Sequence, residues 1–346
     1  MFFVRPVAKD DLPALFALSE RGGAGLTTLP ANAERLSSRI ERSLASFACR
    51  AGHAEACYVF VLVDGATRAV VGISAIEAAV GLSEPWYNYH VGTQVHASRE
   101  LGVYTRAPTL FLTNDHTGNS ELCSLFLDAR YRRGGNGALL AKARLLFIAE
   151  FADRFAPKII AEMRGRLDGA GRSPFWEGLG RHFFAIEFSR ADYLTGIGQK
   201  AFIAELMPRH PVYTTLLPAD ARAAIGEVHA GTLPARSMLE SEGFRYEGYV
   251  DIFDAGPTLE CFRDNIHAVR ASRVLPVVIG EDDLPDSLSD DALWLVASRG
   301  FASFRAVLCP APARVAQFPL LPHAAEALGV RDGDSVRAVP LSPRHR

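Results

Sequence analysis

Two arginines and three glycines lie close together in the segment Arg132-Arg133-Gly134-Gly135-Asn136-Gly137. The run before it, from Leu122 to Leu127, is short and mostly apolar, which predicts a buried strand. From Ala138 onward the apolar residues recur at helical spacing. A strand that turns through glycines into a helix directs free backbone N–H groups and the positive end of the helix dipole at the turn. The segment therefore predicts an anion-binding loop.

The glycine spacing narrows the kind of anion. A dinucleotide loop would place a third glycine where Leu140 stands, and no Gly-Lys-Ser/Thr follows for a P-loop. The pattern Arg132-x-x-Gly135-x-Gly137, between a strand and a helix, resembles the coenzyme A pyrophosphate loop of the GNAT acyltransferase superfamily. The alternative is a turn that needs glycine only for its backbone geometry.

The predicted helix after this loop is amphipathic. Its apolar residues share one side, Leu140, Ala143, Phe147 and Phe151. Its charged residues take the other side, Lys142, Arg144, Glu150 and Asp153. The pattern predicts a helix with one face on a sheet and a charged face turned away from it.

Composition excludes several functions for the 346 residues. The hydrophobic fraction of 49% predicts a large core, and the net charge of -2 gives no basic field for nucleic acid or a membrane. The five cysteines are scattered without a Cys-x-x-Cys pair, which predicts reduced thiols and neither a disulfide frame nor a metal site. Charged residues near the N-terminus argue against a signal peptide, and no apolar run is long enough to span a bilayer. We expect a cytoplasmic protein.

The order of predicted elements before the loop is strand, helix, helix, strand, strand, which is the opening of a GNAT fold. They are placed at 1–6, 10–19, 32–47, 58–63 and 69–77. The glycine-rich segment 21–30 between the helices is either a connector or a mobile loop over the substrate. Residues 80–120 form an insertion rich in aromatic and polar residues, which either lines a pocket or covers the sheet.

Elements after the loop predict an α/β (α+β) protein with a mixed, largely antiparallel central sheet flanked by helices. A strand at 158–163, helical stretches between 173 and 227, a helix from Pro234 to the stop at Gly243 and a strand at 246–253 follow. We divide the chain into a GNAT-like domain, 1–272, with insertions at about 80–120 and 165–232, and a small β-rich C-terminal subdomain, 273–346.

Several separate blocks, in the right order, resemble the arginine N-succinyltransferase family. They are Gly25 to Pro30, Pro85 to Tyr89, Asn114 to Gly118, Ser173 to Trp176, Ala201 to Pro208 and Asp251 to Glu260. The resemblance implies transfer of succinyl from succinyl-CoA to the α-amine of L-arginine, the first step of arginine degradation by the succinyltransferase route. It implies coenzyme A as a cosubstrate, no tightly bound cofactor, and assembly as a homo-oligomer or with a related subunit.

The resemblance also implies roles for individual residues. Leu125 would contact succinyl-CoA and His229 would supply the proton for the departing thiolate; a packed histidine is the alternative for His229. The residues implied in coenzyme binding are Leu125, Leu127, Arg132, Arg133, Gly134, Gly135, Asn136 and Gly137. Glu121, at the start of the same strand, is our candidate for the base that activates the amine, or else a solvated strand end.

The substrate itself calls for two further kinds of group. A guanidinium is recognised by carboxylates, for which the candidates are Asp115, Glu162, Asp251 and Asp254. The free succinyl carboxylate calls for an arginine, for which the candidates are Arg106 and Arg164, or for backbone N–H donors.

Two other functions stay open on the sequence. One is a related acyltransferase that uses another acyl group, or ornithine or another amine. The other is a non-catalytic partner subunit, which would be expected to lose the glycine loop or the histidine. This chain retains Arg132, Gly135, Gly137 and His229, which favours catalysis.

Overall fold

A computed structural model describes residues 1–22, 29–199, 201–280, 293–312 and 314–341. Most of the glycine-rich segment 21–30, at residues 23–28, lies outside the described residues, so neither interpretation of it is tested. No helix in the described part of the chain is long and apolar enough to cross a membrane.

The helices form in the order α1 (Leu12–Gly22), α2 (Ala33–Phe47), α3 (Asn136–Glu150), α4 (Arg181–Phe184), α5 (Phe188–Gly196), α6 (Ala201–Leu206), α7 (Ala219–Ala224), α8 (Leu233–Ser241), α9 (His267–Ala271) and α10 (Pro322–Leu328). The strands are β1 (Phe2–Pro6), β2 (Cys57–Asp64), β3 (Val70–Glu77), β4 (Asn88–Ser98), β5 (Val103–Thr113), β6 (Ser120–Leu127), β7 (Lys158–Glu162), β8 (Val212–Tyr213), β9 (Arg245–Val250), β10 (Pro257–Phe262), β11 (Arg273–Ile279), β12 (Leu293–Ser298), β13 (Ala306–Pro310), β14 (Phe318–Leu320) and β15 (Ser335–Pro340).

The described strands join in one sheet with the order β14-β11-β15-β12-β13-β1-β2-β3-β6-β7-β10-β9-β4-β5-β8. Two neighbouring pairs, β6 with β7 and β11 with β14, are parallel, and the others are antiparallel. The predicted mixed, largely antiparallel sheet with flanking helices is therefore confirmed. Strands from Arg273 onward meet the rest of the sheet where Val4 of β1 pairs with Ala306 of β13. The division at 272/273 stays a prediction.

Helix α3 differs from the prediction because it is buried on its charged side as well. Lys142 is only 5% exposed and Arg144 only 2%. Lys142 Nζ lies 2.7 Å from both Glu242 Oε1 and the Leu341 carbonyl oxygen. The charged face was predicted from local spacing, but distant segments of the chain cover it and supply the partners that its charges need when buried. The prediction that the charged face of α3 turns away from the protein was therefore wrong.

The insertion at 80–120 contains a long hairpin. Strands β4 and β5 pair from Asn88↔Thr113 to Ser98↔Val103, and β4 continues the sheet through β9 at Tyr89↔Val250. The hairpin end is exposed around Leu101 and Tyr104, whereas Asn88 at its base is buried. The base of the insertion therefore belongs to the interior of the protein.

Candidate active site

Strand β6 carries a β-bulge at its centre. Ala75 of β3 pairs with Cys123 and Ile73 pairs with Phe126, so Ser124 and Leu125 together lie opposite a single residue. Ser124 has a φ of 54°, a left-handed conformation that is rare outside glycine. A bulge takes a backbone segment out of the ladder of hydrogen bonds. The sequence pattern predicted the strand but gave no sign of this bulge.

Beside the bulge, β6 and β7 separate. Their parallel pairing is limited to Ser120↔Ile159 and Glu121↔Ile160, although both strands continue further. A cavity of about 140 Å³ occupies the gap. Its walls include the bulge at Ser124 and Leu125 and the end of β7 at Glu162. The cavity therefore brings backbone freed from the ladder next to polar side chains.

Carboxylates are the main polar groups of this cavity, and Glu121, Glu162, Asp192, Asp251 and Asp254 all line it. Burial raises the pKa of Glu162 well above its usual range, and the nearby carboxylates of Asp251, Glu121 and Asp254 raise it further. Burial and then the charge of Asp251 likewise raise the pKa of Asp254. An accumulation of negative charge of this kind favours a cationic guest, because a cation relieves the repulsion.

The backbone fixes two of these carboxylates. Asp254 accepts hydrogen bonds from the N–H groups of Gly165 (2.7 Å) and Gly256 (2.8 Å). Asp251 Oδ1 accepts from the N–H groups of Phe253 (2.6 Å) and Asp254 (2.8 Å). Glu162 instead accepts from a side chain, Asn88 Nδ2, at 2.8 Å. Glu162 is thus oriented through the base of the inserted hairpin.

Two arginines also line the cavity. Arg144 reaches from α3 and donates to the carbonyl oxygens of Ala75 and Cys123, both at 3.2 Å, which is the residue pair next to the bulge. Burial lowers its pKa to about 10. Burial also lowers the pKa of Arg164, and its buried Nε has no hydrogen-bond partner in the part of the chain that the structure describes. The sequence named Arg164 but missed Arg144, since a basic residue on an amphipathic helix gives no sign of being buried.

His229 lies at the edge of the cavity. Its N–H donates to the Arg164 carbonyl oxygen (2.9 Å), its carbonyl oxygen accepts from Thr232 N–H (2.8 Å), and both partners line the cavity. Gly231 N–H donates to His229 Nδ1 at 3.0 Å, so the ring carries its hydrogen on Nε2. Burial, followed by the charge of Arg164, lowers the pKa of His229. His229 is therefore available as a neutral imidazole that donates from Nε2.

The glycine loop lies at the end of β6 and the start of α3, as predicted. Gly134 and Gly135 have φ values of 59° and 79°. A Cβ at Gly135 would lie 2.8 Å from Leu308 Cδ1. Among the described residues, a Cβ at Gly137 would meet nothing within 4 Å beyond its chain neighbours and its own helix backbone. Arg132 Nε donates to the Leu127 carbonyl oxygen (3.0 Å), and Asn136 Nδ2 donates to that of Tyr131 (3.0 Å). The exposed side of the loop, including Arg133, stays open to a ligand at the helix N-terminus.

Two of the candidates from the sequence lie elsewhere. Asp115 is exposed and accepts a hydrogen bond from the Tyr249 hydroxyl at 2.9 Å. Arg106 is exposed on β5 opposite Val95, in the hairpin. Among the described residues, the cavity thus collects Glu121, Leu125, Glu162, Arg164, Asp251 and Asp254 from the predicted set.

Comparison with known proteins agrees with this geometry. Residues 2–268 match a family model described as arginine N-succinyltransferase beta subunit, and residues 273–340 match the model of its C-terminal domain. A protein of Yersinia pseudotuberculosis named arginine N-succinyltransferase is 55% identical over 99% of this chain and 98% of its own length. One of the same name from Citrobacter koseri is 54% identical with the same coverage. The solved structure of arginine/ornithine succinyltransferase subunit AI from Pseudomonas aeruginosa superposes with a TM-score of 0.90 at 38% identity, covering 99% of both chains.

Proposed function

Because the chain belongs to the arginine N-succinyltransferase family, we propose that it transfers succinyl from succinyl-CoA to the α-amine of L-arginine. The products are N2-succinyl-L-arginine, coenzyme A and a proton. The chain is an acyltransferase with a GNAT-like α/β fold. The observation that carries the choice of substrates is the carboxylate-lined cavity that opens beside the β6 bulge.

The acceptor side of the reaction is assigned to the carboxylates. L-arginine carries a guanidinium, which forms paired hydrogen bonds with carboxylates. Glu162 and Asp251 line the cavity, and burial raises the pKa of both. Binding of a guanidinium between them would stabilise their ionised forms and offset the desolvation of both partners.

The donor side is assigned to β6 and the glycine loop. The Leu125 N–H, at the bulge, would donate to the thioester oxygen, where negative charge develops as the amine attacks. The coenzyme pyrophosphate would lie on the N-terminus of α3, with Gly137 giving close access to the backbone and Arg132 and Arg133 adding charge. The strand and the helix that follows it would therefore hold the two ends of one molecule.

Arg164 is assigned to the free carboxylate of the succinyl group. Arg164 lies in the cavity wall, and its buried Nε–H has no hydrogen-bond partner among the described residues. An unpaired buried donor is unfavourable until an acceptor arrives. An acetyl group would leave this donor unpaired, so Arg164 would select for succinyl over acetyl.

Proton movements are assigned to Glu121 and His229. Glu121, in the cavity wall, would accept the proton of the attacking amine, directly or through a water molecule. His229 would donate a hydrogen bond from Nε2 to the sulfur as the thiolate leaves, since Nδ1 already accepts from Gly231. The neutral ring therefore stabilises the leaving group without having to start as an imidazolium.

The direct test is release of coenzyme A thiol by this chain purified alone. We expect turnover with succinyl-CoA and L-arginine, and much slower turnover with acetyl-CoA. L-ornithine is a second candidate acceptor, because the relative from Pseudomonas aeruginosa is called an arginine/ornithine succinyltransferase. No turnover with any pair would instead support a non-catalytic partner subunit that needs a related chain.

Assembly of the chain with itself or with a related chain stays a proposal. A cytoplasmic location is also a proposal, which the five free thiols favour.

A further inference from the structure

A series of hydrogen bonds leads from Glu162 in the cavity, through Asn88 and His116, to Glu260 on the same face of the sheet. Asn88 Nδ2 donates to Glu162 Oε1 at 2.8 Å. Asn88 Oδ1 lies 2.7 Å from His116 Nδ1, and His116 Nε2 lies 3.1 Å from Glu260 Oε2. Asn88 and His116 are each 1% exposed. These polar groups connect the cavity to the salt bridge between Lys158 and Glu260, which the proposed reaction does not use.

We propose that His116 and Asn88 are positioning residues, which hold the Glu162 carboxylate ionised and aimed at the cationic acceptor substrate. The proposal rests on the arginine-acylating function described above. It extends that function by naming residues outside the cavity that control its affinity for the cation.

The direction of each hydrogen bond follows from groups that can act in one way only. The Trp86 indole N–H can only donate, and it lies 3.0 Å from Asn88 Oδ1. That atom of the amide must therefore be the oxygen, and the amide nitrogen must point at Glu162. An oxygen that already accepts from Trp86 also needs a donor from His116, so Nδ1 of that ring carries a hydrogen.

The opposite side of the His116 ring is held by a carboxylate. Glu260 Oε1 accepts from Lys158 Nζ at 3.0 Å, and its Oε2 faces His116 Nε2. The hydrogen bond from His116, and then that from Lys158, lowers the pKa of Glu260. With an acceptor on each side, the ring donates from both nitrogens and cannot rotate without losing a bond. Asn88 is thereby prevented from flipping.

The remaining neighbours of the ring do not compete for these bonds. The Tyr249 ring packs with its centroid 4.5 Å from that of His116, and its hydroxyl donates to Asp115. At the Asn88 end of the hydrogen-bond series, Thr258 Oγ1 lies 3.4 Å from Asn88 Nδ2. The charges of Asp251, Glu121 and Asp254 act on Glu162. Asp192, Arg144 and Arg164 also line the cavity.

The consequence for Glu162 has a definite sign. Burial and the neighbouring carboxylates raise its pKa, and the hydrogen bond from Asn88 opposes them by lowering it. Without that bond, the pKa of Glu162 rises further and the carboxylate becomes protonated at a higher pH. Binding of a cationic substrate then fails first on the acid side of the pH range.

The test compares His116→Leu, His116→Gln and the isosteric Asn88→Asp with the parent enzyme. Steady-state kinetics with L-arginine and succinyl-CoA are measured across pH, after thermal unfolding has shown that each variant folds. For His116→Leu and Asn88→Asp we expect the KM for arginine to rise by about tenfold near neutral pH, the effect of one lost hydrogen bond to a charged group. The acid limb of kcat/KM for arginine should move to higher pH, and the KM for succinyl-CoA should stay unchanged. His116→Gln, which keeps one donor, should fall between parent and His116→Leu.

His53→Gln is the matched control, because His53 is an exposed histidine outside the cavity, and it should behave as the parent. An unchanged acid limb and arginine KM in both His116→Leu and Asn88→Asp would overturn the proposal. So would an equal loss of kcat at every pH, which describes a structural role.

A second measurement does not depend on activity. Nitrogen-15 NMR of the parent should show hydrogens on both ring nitrogens of His116, and a bare Nδ1 would overturn the proposal. If the parent fails to acylate arginine while the His116 ring shows both hydrogens, the proposed substrate is wrong. The positioning of Glu162 by Asn88 and His116 then still holds.

Discussion

The glycine loop follows the end of β6, the carboxylate cavity lies beside the bulge of that strand, and the two are built in different ways. The loop is one continuous segment, 132–137, and its proposed ligand groups are backbone N–H groups at a helix start. The cavity takes its polar groups from separate parts of the chain, among them Glu121, Glu162, Asp192 and Asp251. The part that would bind the nucleotide portion of the cosubstrate is thus local, and the part that would select the acceptor is assembled by the fold.

Gly137→Glu should have the largest effect, and it should act on the loop alone. The added carboxylate would occupy the approach to the helix N-terminus and repel the pyrophosphate. We expect coenzyme A binding to fall below detection in calorimetry. The unfolding temperature should stay unchanged, because in the described part of the chain the new Cβ meets nothing within 4 Å beyond its chain neighbours and its own helix backbone. Gly52→Glu adds the same charge at another open glycine and should bind as the parent. Parental affinity in Gly137→Glu would show that the loop is only a turn.

Glu162→Gln should act on the cavity alone. Loss of one charged partner of a guanidinium should lower kcat/KM for arginine about a hundredfold, while coenzyme A binding stays as in the parent. Because the parent needs Glu162 ionised and burial raises the pKa of this residue, parental kcat/KM should fall as pH decreases through that raised pKa. This acid limb should disappear in the variant. Asp115→Asn changes a candidate outside the cavity, so kcat/KM for arginine and coenzyme A binding should both stay as in the parent. If Asp115→Asn lowered kcat/KM for arginine and Glu162→Gln did not, the acceptor site would lie at Asp115.

Arg164→Gln should weaken the preference for succinyl-CoA over acetyl-CoA. The parent should prefer succinyl-CoA to acetyl-CoA, and removal of the charged donor should raise the KM for succinyl-CoA by about tenfold or more. The KM for acetyl-CoA, which has no free carboxylate, should change little. Arg106→Gln is the control on the exposed hairpin. An equal rise of the KM for both thioesters would mean that Arg164 supports the cavity wall and does not bind the succinyl carboxylate.

His229→Ala should give the smallest of these effects, in kcat and not in either KM. A neutral Nε2–H that stabilises a leaving thiolate contributes less than full proton transfer, so we expect a loss of about tenfold. The ring hydrogen on Nε2 persists as pH rises, so the parent should show no alkaline limb due to His229. An alkaline limb that disappears in the variant would mean that the imidazolium is the working form.

The same contrast explains which features were predictable from the sequence. The strand, the loop and α3 follow from local spacing, and the structure confirms their order. The burial of Arg144 and Lys142 was not predictable, because the covering residues come from distant parts of the chain. Asn88 and His116 lay in an insertion whose aromatic and polar content left a pocket wall and a cover on the sheet both open. Their connection to Glu162 exists only after β7, β10, β9 and β4 have joined in one sheet.

The central claim is that the carboxylate cavity recognises the positive side chain of the acceptor. L-citrulline tests it most directly, since it has nearly the shape of arginine and the same α-amine but a neutral side chain. Competing the two amino acids for succinyl-CoA gives the ratio of their kcat/KM values in one measurement. The account predicts a preference for arginine of about a hundredfold or more, from the loss of charge-assisted hydrogen bonds, and a strong reduction of that preference in Glu162→Gln. Equal use of arginine and citrulline by the parent would contradict it.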